Sequence, residues 1–160
     1  MTLILSGSDG VTFPDSTEQE TGYANGIGFR NRIINGDMRI DQRNAGAAVT
    51  VNSTDDTYAV DRFSGRGVSS DGVFTLQQNT SAPASFVNSI KATVTTADAS
   101  IPATGYYVVQ QFIEGFNVAD LAWGTASAKT VTLSFWVRSS LTGTFGGSIA
   151  NSALNRSYPF

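Results

Sequence analysis

The sequence predicts an all-β protein: a sandwich or barrel preceded by an extended N-terminal arm. Three observations predict it. Strand-like runs recur about every 10–15 residues, separated by Gly, Asn, Asp and Ser, which is the rhythm of sandwiches and barrels. One run, Thr130-Val131-Thr132-Leu133-Ser134-Phe135-Trp136-Val137-Arg138, places an apolar residue at every second position, with Trp136 on the otherwise polar side. Charged residues make up only 14% of the 160-residue chain, so Ser, Thr, Asn, Gln and Gly must supply the polar surface.

Residues 1–28 read as the arm. Leu3, Ile4 and Leu5 form a short apolar patch, followed by Gly7-Ser8-Asp9-Gly10 and Val11-Thr12-Phe13-Pro14-Asp15. The polar, Gly-containing stretch from Ser16 to Gly28 follows. Brief strands are expected here, in a segment that alone buries too little to stay ordered.

Residues 29–160 read as the β-domain. The expected strands are 32–42, 47–52, 61–66, 73–78, 89–95, 106–113 and 130–138, with a weaker one over 144–150. In the clearest of them Val131, Leu133, Phe135 and Val137 share one face. Thr130, Thr132, Ser134, Trp136 and Arg138 share the other. Burying four such side chains contributes about 1.5–3 kcal/mol each. That energy would fix the register, since a slip of one residue reverses both faces. In Ser89–Val94 the inward set is Ile90, Ala92 and Val94. Tyr106–Ile113 carries apolar residues on both faces. The one helical candidate is Asn117–Trp123, with Asn117 as its cap and Gly124 as its stop. No late strand suited to closing a sandwich beside an early one is evident, so either the sequence is a fragment of a longer protein, the favoured reading, or neighbouring chains complete the fold.

Composition narrows the chemistry. The chain has no Cys and no His, which removes disulfides, thiol catalysis, Cys-based zinc sites and the commonest general base and metal ligand. The net charge is −3. The one basic cluster, Arg30, Arg32, Arg39 and Arg43, is offset by Asp37 and Asp41, so nucleic acid is not an expected partner. No apolar run reaches membrane-spanning length, and the first residues lack the basic region of a secretory signal. No catalytic residue, metal site or cofactor is expected.

Acidic pairs are better read structurally. Asp55-Asp56 lies in the turn-like string Asn52–Thr57, although its dense oxygen ligands would also suit calcium. Asp37, Arg39, Asp41 and Arg43 would form a charge ladder along one strand face. Asp61-Arg62-Phe63 reads as a strand start with a local ion pair. For binding, Trp136 on the outward face, beside Ser134 and Arg138, is the right shape to stack on a sugar ring. Tyr107 and Gln111, with Tyr106 and Gln110, would line the same surface if theirs is a neighbouring strand. The competing reading packs Trp136 under a loop, the arm or another subunit.

Two stretches carry a resemblance. The run from Leu3 to Thr17 resembles an N-terminal segment frequent in tail-fibre and related virion proteins of tailed bacteriophages. Asn31-Arg32-Ile33-Ile34-Asn35-Gly36-Asp37-Met38-Arg39-Ile40-Asp41-Gln42-Arg43 resembles the opening of a β-rich domain in the same proteins. More loosely, Thr130–Ser139 is similar to a strand of carbohydrate-binding-module sandwiches, with Gly124 and Lys129 in the preceding turn. The resemblance implies a homotrimeric virion appendage whose domain is a jelly-roll-like antiparallel β-sandwich. Its arm, through Leu3, Ile4, Leu5, Val11 and Phe13, would dock on other virion proteins. Its β-domain would contact host-surface glycans or link to a receptor-binding part. A capsid decoration protein, or the binding module of a glycan-degrading enzyme, would fit the same features.

Overall fold

The computed structural model describes residues 31–52, 54–68 and 71–160, together with the backbone of three short strands nearer the N-terminus. Those three strands, β1 (Ile4–Ser6), β2 (Gly10–Thr12) and β3 (Glu18–Gln19), form an antiparallel meander in the order β1-β2-β3. Leu5 lies opposite Val11 in its register. Of the expected docking residues, Leu3 and Phe13 lie outside the described residues, while Ile4, Leu5 and Val11 fall on these strands.

The fold is all-β and antiparallel, with one short helix among the described residues. The larger body uses β4 (Val49–Val51), β5 (Thr57–Tyr58), β6 (Phe63–Val68), β7 (Val73–Asn79), β8 (Ser89–Thr96) and β9 (Tyr106–Gln111). They make two three-stranded sheets, ordered β4-β7-β8 and β5-β6-β9. The chain crosses between sheets after β4, after β6 and after β8.

The sheets meet face to face through a small apolar core. Val51, Phe74 and Leu76 of the first sheet are buried, joined by Ala59, with Val49, Ile90 and Tyr107 packed against them. Alternation explains the selection: Val49 and Val51 share a face, as do Phe74 and Leu76, and register places Val49 beside Leu76 and Val51 beside Phe74. Gly65 of β6 permits the close approach. A Cβ there would stand 2.7 Å from both Leu76 Cδ1 and Val51 Cγ2. Tyr107 of β9 lies across Gly67 and meets Phe74 edge-on, with ring centroids 6.2 Å apart. Its hydroxyl donates to Asp98 (2.7 Å) and accepts from the Gly72 amide (2.9 Å), so this buried polar tip is satisfied.

Several expected elements take another form. Residues 32–42 are not a strand but a pair of turns. Side chains organise them. Asn35, at φ 58°, accepts from the Ile40 amide through Oδ1 and donates through Nδ2 to the Ile40 and Asp61 carbonyls. The Asp41 carboxylate accepts from the amides of Asn44 (3.1 Å) and Gly46 (2.6 Å). Asn and Asp offer the backbone these local partners in place of a ladder, which is why alternation misleads here. The charge ladder is thereby replaced: Arg39 pairs with its neighbour Asp37, and Asp41 is used inside its turn. Asp61 and Arg62 likewise form no local pair. Asp61 accepts from the Gln42 amide, and Arg62 reaches Glu114.

The helix is a 3-10 helix over Gly115–Leu121, preceded by Glu114, with Ala122 left-handed at its end. Asn117 lies within it and does not cap it; its amide donates to the Glu114 carbonyl. Arg32 ties the start of the turn region to this helix by donating to the Asn117 carbonyl and the Asp120 carboxylate, each at 2.7 Å.

The structure divides into two units, Met1–Thr130 and Val131–Phe160. In the second, β10 (Ser148–Ala150) pairs with β11 (Ser157–Pro159). The expected strand 130–138 is absent: its residues belong to no ladder, and all are exposed. Alternation supplies a face to bury, but a strand exists only where a neighbour takes up its amides and carbonyls.

Candidate functional site

A concavity of about 590 Å³ opens on the first unit. Four separate segments build it. The turn region contributes Ile40, Gln42 and Arg43, β5 contributes Tyr58, the tight turn before β6 contributes Asp61 and Arg62, and the segment after β9 contributes Phe112 and Glu114.

Its walls mix apolar or aromatic side chains with polar and charged ones. Tyr58, Ile40 and Phe112 are 38%, 50% and 53% exposed. The Arg43 guanidinium lies over the Tyr58 ring, 5.4 Å from its centroid, within cation–π range. Phe112 keeps an open ring while its backbone carbonyl accepts from Arg62 (3.1 Å).

Its polar groups are held in place. Arg62 sits at φ 76°, and one of its guanidinium nitrogens lies 2.7 and 2.8 Å from the two carboxylate oxygens of Glu114. Asn117 also donates to that carboxylate (3.1 Å). The Arg62 hydrogen bond, followed by a backbone hydrogen bond, holds the Glu114 carboxyl below its ordinary value near 4.5. A folded-state value below the unfolded one makes the pair's contribution complete above pH 4.5 and lost only as pH falls through the lowered value. Carboxyl-detected NMR titration is therefore expected to give Glu114 a midpoint below 4.5, rising in Arg62→Met. A midpoint unchanged by that substitution would show that Arg62 is not the cause.

The residues singled out from sequence are distributed differently. Trp136 is 76% exposed and Arg138 is exposed, both in the second unit. Tyr107 and Gln111 belong to the first unit and are engaged within it. Tyr107 packs on the core, and the Gln111 carboxamide both donates to and accepts from the Ile34 backbone, each at 2.9 Å. Asp55 and Asp56 are exposed in a bend, with Asp56 accepting from Gln110 (2.5 Å). The concavity itself escaped sequence reasoning because segments as far apart as Ile40 and Glu114, 74 positions, make it.

Fold and site together define an all-β protein with a shallow, aromatic-walled polar recess. No protein-family model, curated protein or solved structure matches the chain.

Proposed function

We propose that this chain is a non-catalytic structural and binding protein of a bacteriophage virion, a tail-fibre or appendage component whose β-body contacts host-surface glycans. The observation that carries the glycan part is the recess between Phe112 and the Arg43-covered Tyr58. Sugars present C–H-rich faces and a ring of hydroxyls. An open aromatic face beside a fixed Arg62–Glu114 pair and Gln42 answers both needs. Trp136, exposed on the second unit, offers a further stacking surface.

Support for the virion part is the resemblance of Leu3–Thr17 and Asn31–Arg43 to phage appendage proteins. In that reading the N-terminal segment docks on other virion proteins, the assembly is a homotrimer, and the sandwich-like body has jelly-roll connectivity. Its repeated crossing between two sheets suits that connectivity.

A glycan array of host-surface oligosaccharides tests the binding reading. Phe112→Ala, which removes an exposed ring and keeps the carbonyl bonded to Arg62, is expected to weaken binding about tenfold, or ~1.4 kcal/mol. Binding that Phe112→Ala and Trp136→Ala leave unchanged would remove both surfaces. Immunogold labelling of intact particles tests the location, and unlabelled particles would overturn it.

A further inference from the structure

We infer that the recess is selective for acidic sugars, with the Arg43 guanidinium as the group that engages a sugar carboxylate. This rests on the glycan reading above and names the class of glycan. Three observations carry it.

First, the two arginines that line the recess are in different states. Arg62 spends its guanidinium on Glu114 and on the Phe112 carbonyl. Arg43 forms no ion pair with, and donates no hydrogen bond to, any described residue. Two carboxylates belong to the same loop and recess, and both are committed to backbone. Asp41 accepts from the amides of Asn44 and Gly46, one with each oxygen. Asp61 accepts from the Gln42 amide. Arg43 lies over the Tyr58 ring instead, 5.4 Å from its centroid. That attraction satisfies none of the guanidinium N–H donors, whose planar fork matches a carboxylate.

Second, the backbone that carries Arg43 is fastened on both sides. Before it, the Gln42 amide donates to Asp61 Oδ2 at 2.9 Å. After it, Asn44 Nδ2 donates to the Ala59 carbonyl at 2.6 Å, and the Asn44 amide is held by Asp41 at 3.1 Å. Ordering on binding is thus confined to the Arg43 side chain, which already rests on a ring.

Third, the remaining walls suit the uncharged parts of the same sugar. Phe112 offers an open ring to a C–H-rich face. The Asp61 and Glu114 carboxylates keep lone pairs for hydroxyl donors. Their charge also repels a ligand carboxylate and directs it towards Arg43, an orientation that a neutral sugar does not receive. The net charge of −3 belongs to the whole chain and is screened beyond about 8 Å at physiological salt, so the local cation decides.

An array tests it with the full chain. It carries oligouronates and their carboxyl-reduced counterparts, matched in linkage and length, beside neutral host-surface oligosaccharides. The acid member of a pair is expected to bind about tenfold more tightly than its reduced counterpart, as one charge-assisted contact supplies. Arg43→Gln keeps a donor without the charge and is expected to bring the two members within about twofold. Arg43→Lys keeps the charge without the fork and is expected to retain an intermediate preference. Arg43 is exposed, so both variants are expected to keep the wild-type melting transition, and the wild-type comparison decides the class of glycan without them. Equal binding of acid and reduced members, or binding of neutral glycans alone, overturns this inference and leaves the glycan reading standing. Binding of no glycan overturns both. An acid preference that survives Arg43→Gln overturns the assignment to Arg43.

Discussion

Leu76→Ala is expected to destabilise the first unit by about 2–5 kcal/mol, the range for deleting a fully buried leucine side chain. Leu76 is fully buried at the centre of the β4-β7-β8 sheet, flanked in register by Val49 and Ala92. The opposite wall at Gly65 is backbone, which cannot swing in to refill the space. Only six hydrophobic residues among those described are buried, so each carries a large share of the core. Urea unfolding followed by tryptophan-independent circular dichroism reads the effect as a lower midpoint at an unchanged slope. Phe116→Ala is the control: that ring is 96% exposed, and its loss is expected to fall within about 0.5 kcal/mol. Equal effects at the two positions would mean that the core lies elsewhere.

Gly65→Ala is expected to cost about 1–3 kcal/mol by overpacking. The added methyl would meet Leu76 Cδ1 and Val51 Cγ2 at 2.7 Å and Phe74 Cζ at 3.2 Å. Two of these belong to fully buried side chains with no solvent into which to move. Gly65 therefore sets the separation of the sheets. The pair of substitutions is a sharper measurement than either alone. With Leu76 shortened, the methyl at 65 enters vacated space, so the double variant is expected to be less destabilised than the sum by about 0.5–3 kcal/mol. Strict additivity would show that the two positions do not touch.

Much of the body was legible because its strands advertise themselves locally. The runs at 47–52, 61–66, 73–78, 89–95 and 106–113 each overlap an observed strand, β4, β6, β7, β8 and β9 in turn, three of which run one or two residues further. Their β-branched and aromatic residues sit between turn-forming neighbours. Legibility failed where the deciding contact was distant or made by a side chain. At 32–42, Asn35 and Asp41 bind backbone and cancel a plausible strand. At 130–138 the pattern is that of a strand, but none of the described strands pairs with it. The recess depends on Arg62 finding Glu114, 52 positions away, and neither residue signals the other. Trp136 was visible as an exposed aromatic because it opposes the apolar face of its own segment. Phe112 was not, because its exposure follows from where β9 stops.

The Gln111 carboxamide clasps the Ile34 peptide group in both directions, as a neighbouring strand would. A fastening made by one side chain does not oblige the loop to run alongside the sheet. The loop is held at Ile34 by this side chain and again at Ile40 and Gln42 by bonds to Asp61, so the side chains from Ile40 to Arg43 stand as one wall of the recess. Changes in these side chains can therefore retune what the recess admits without disturbing how the sheets are joined.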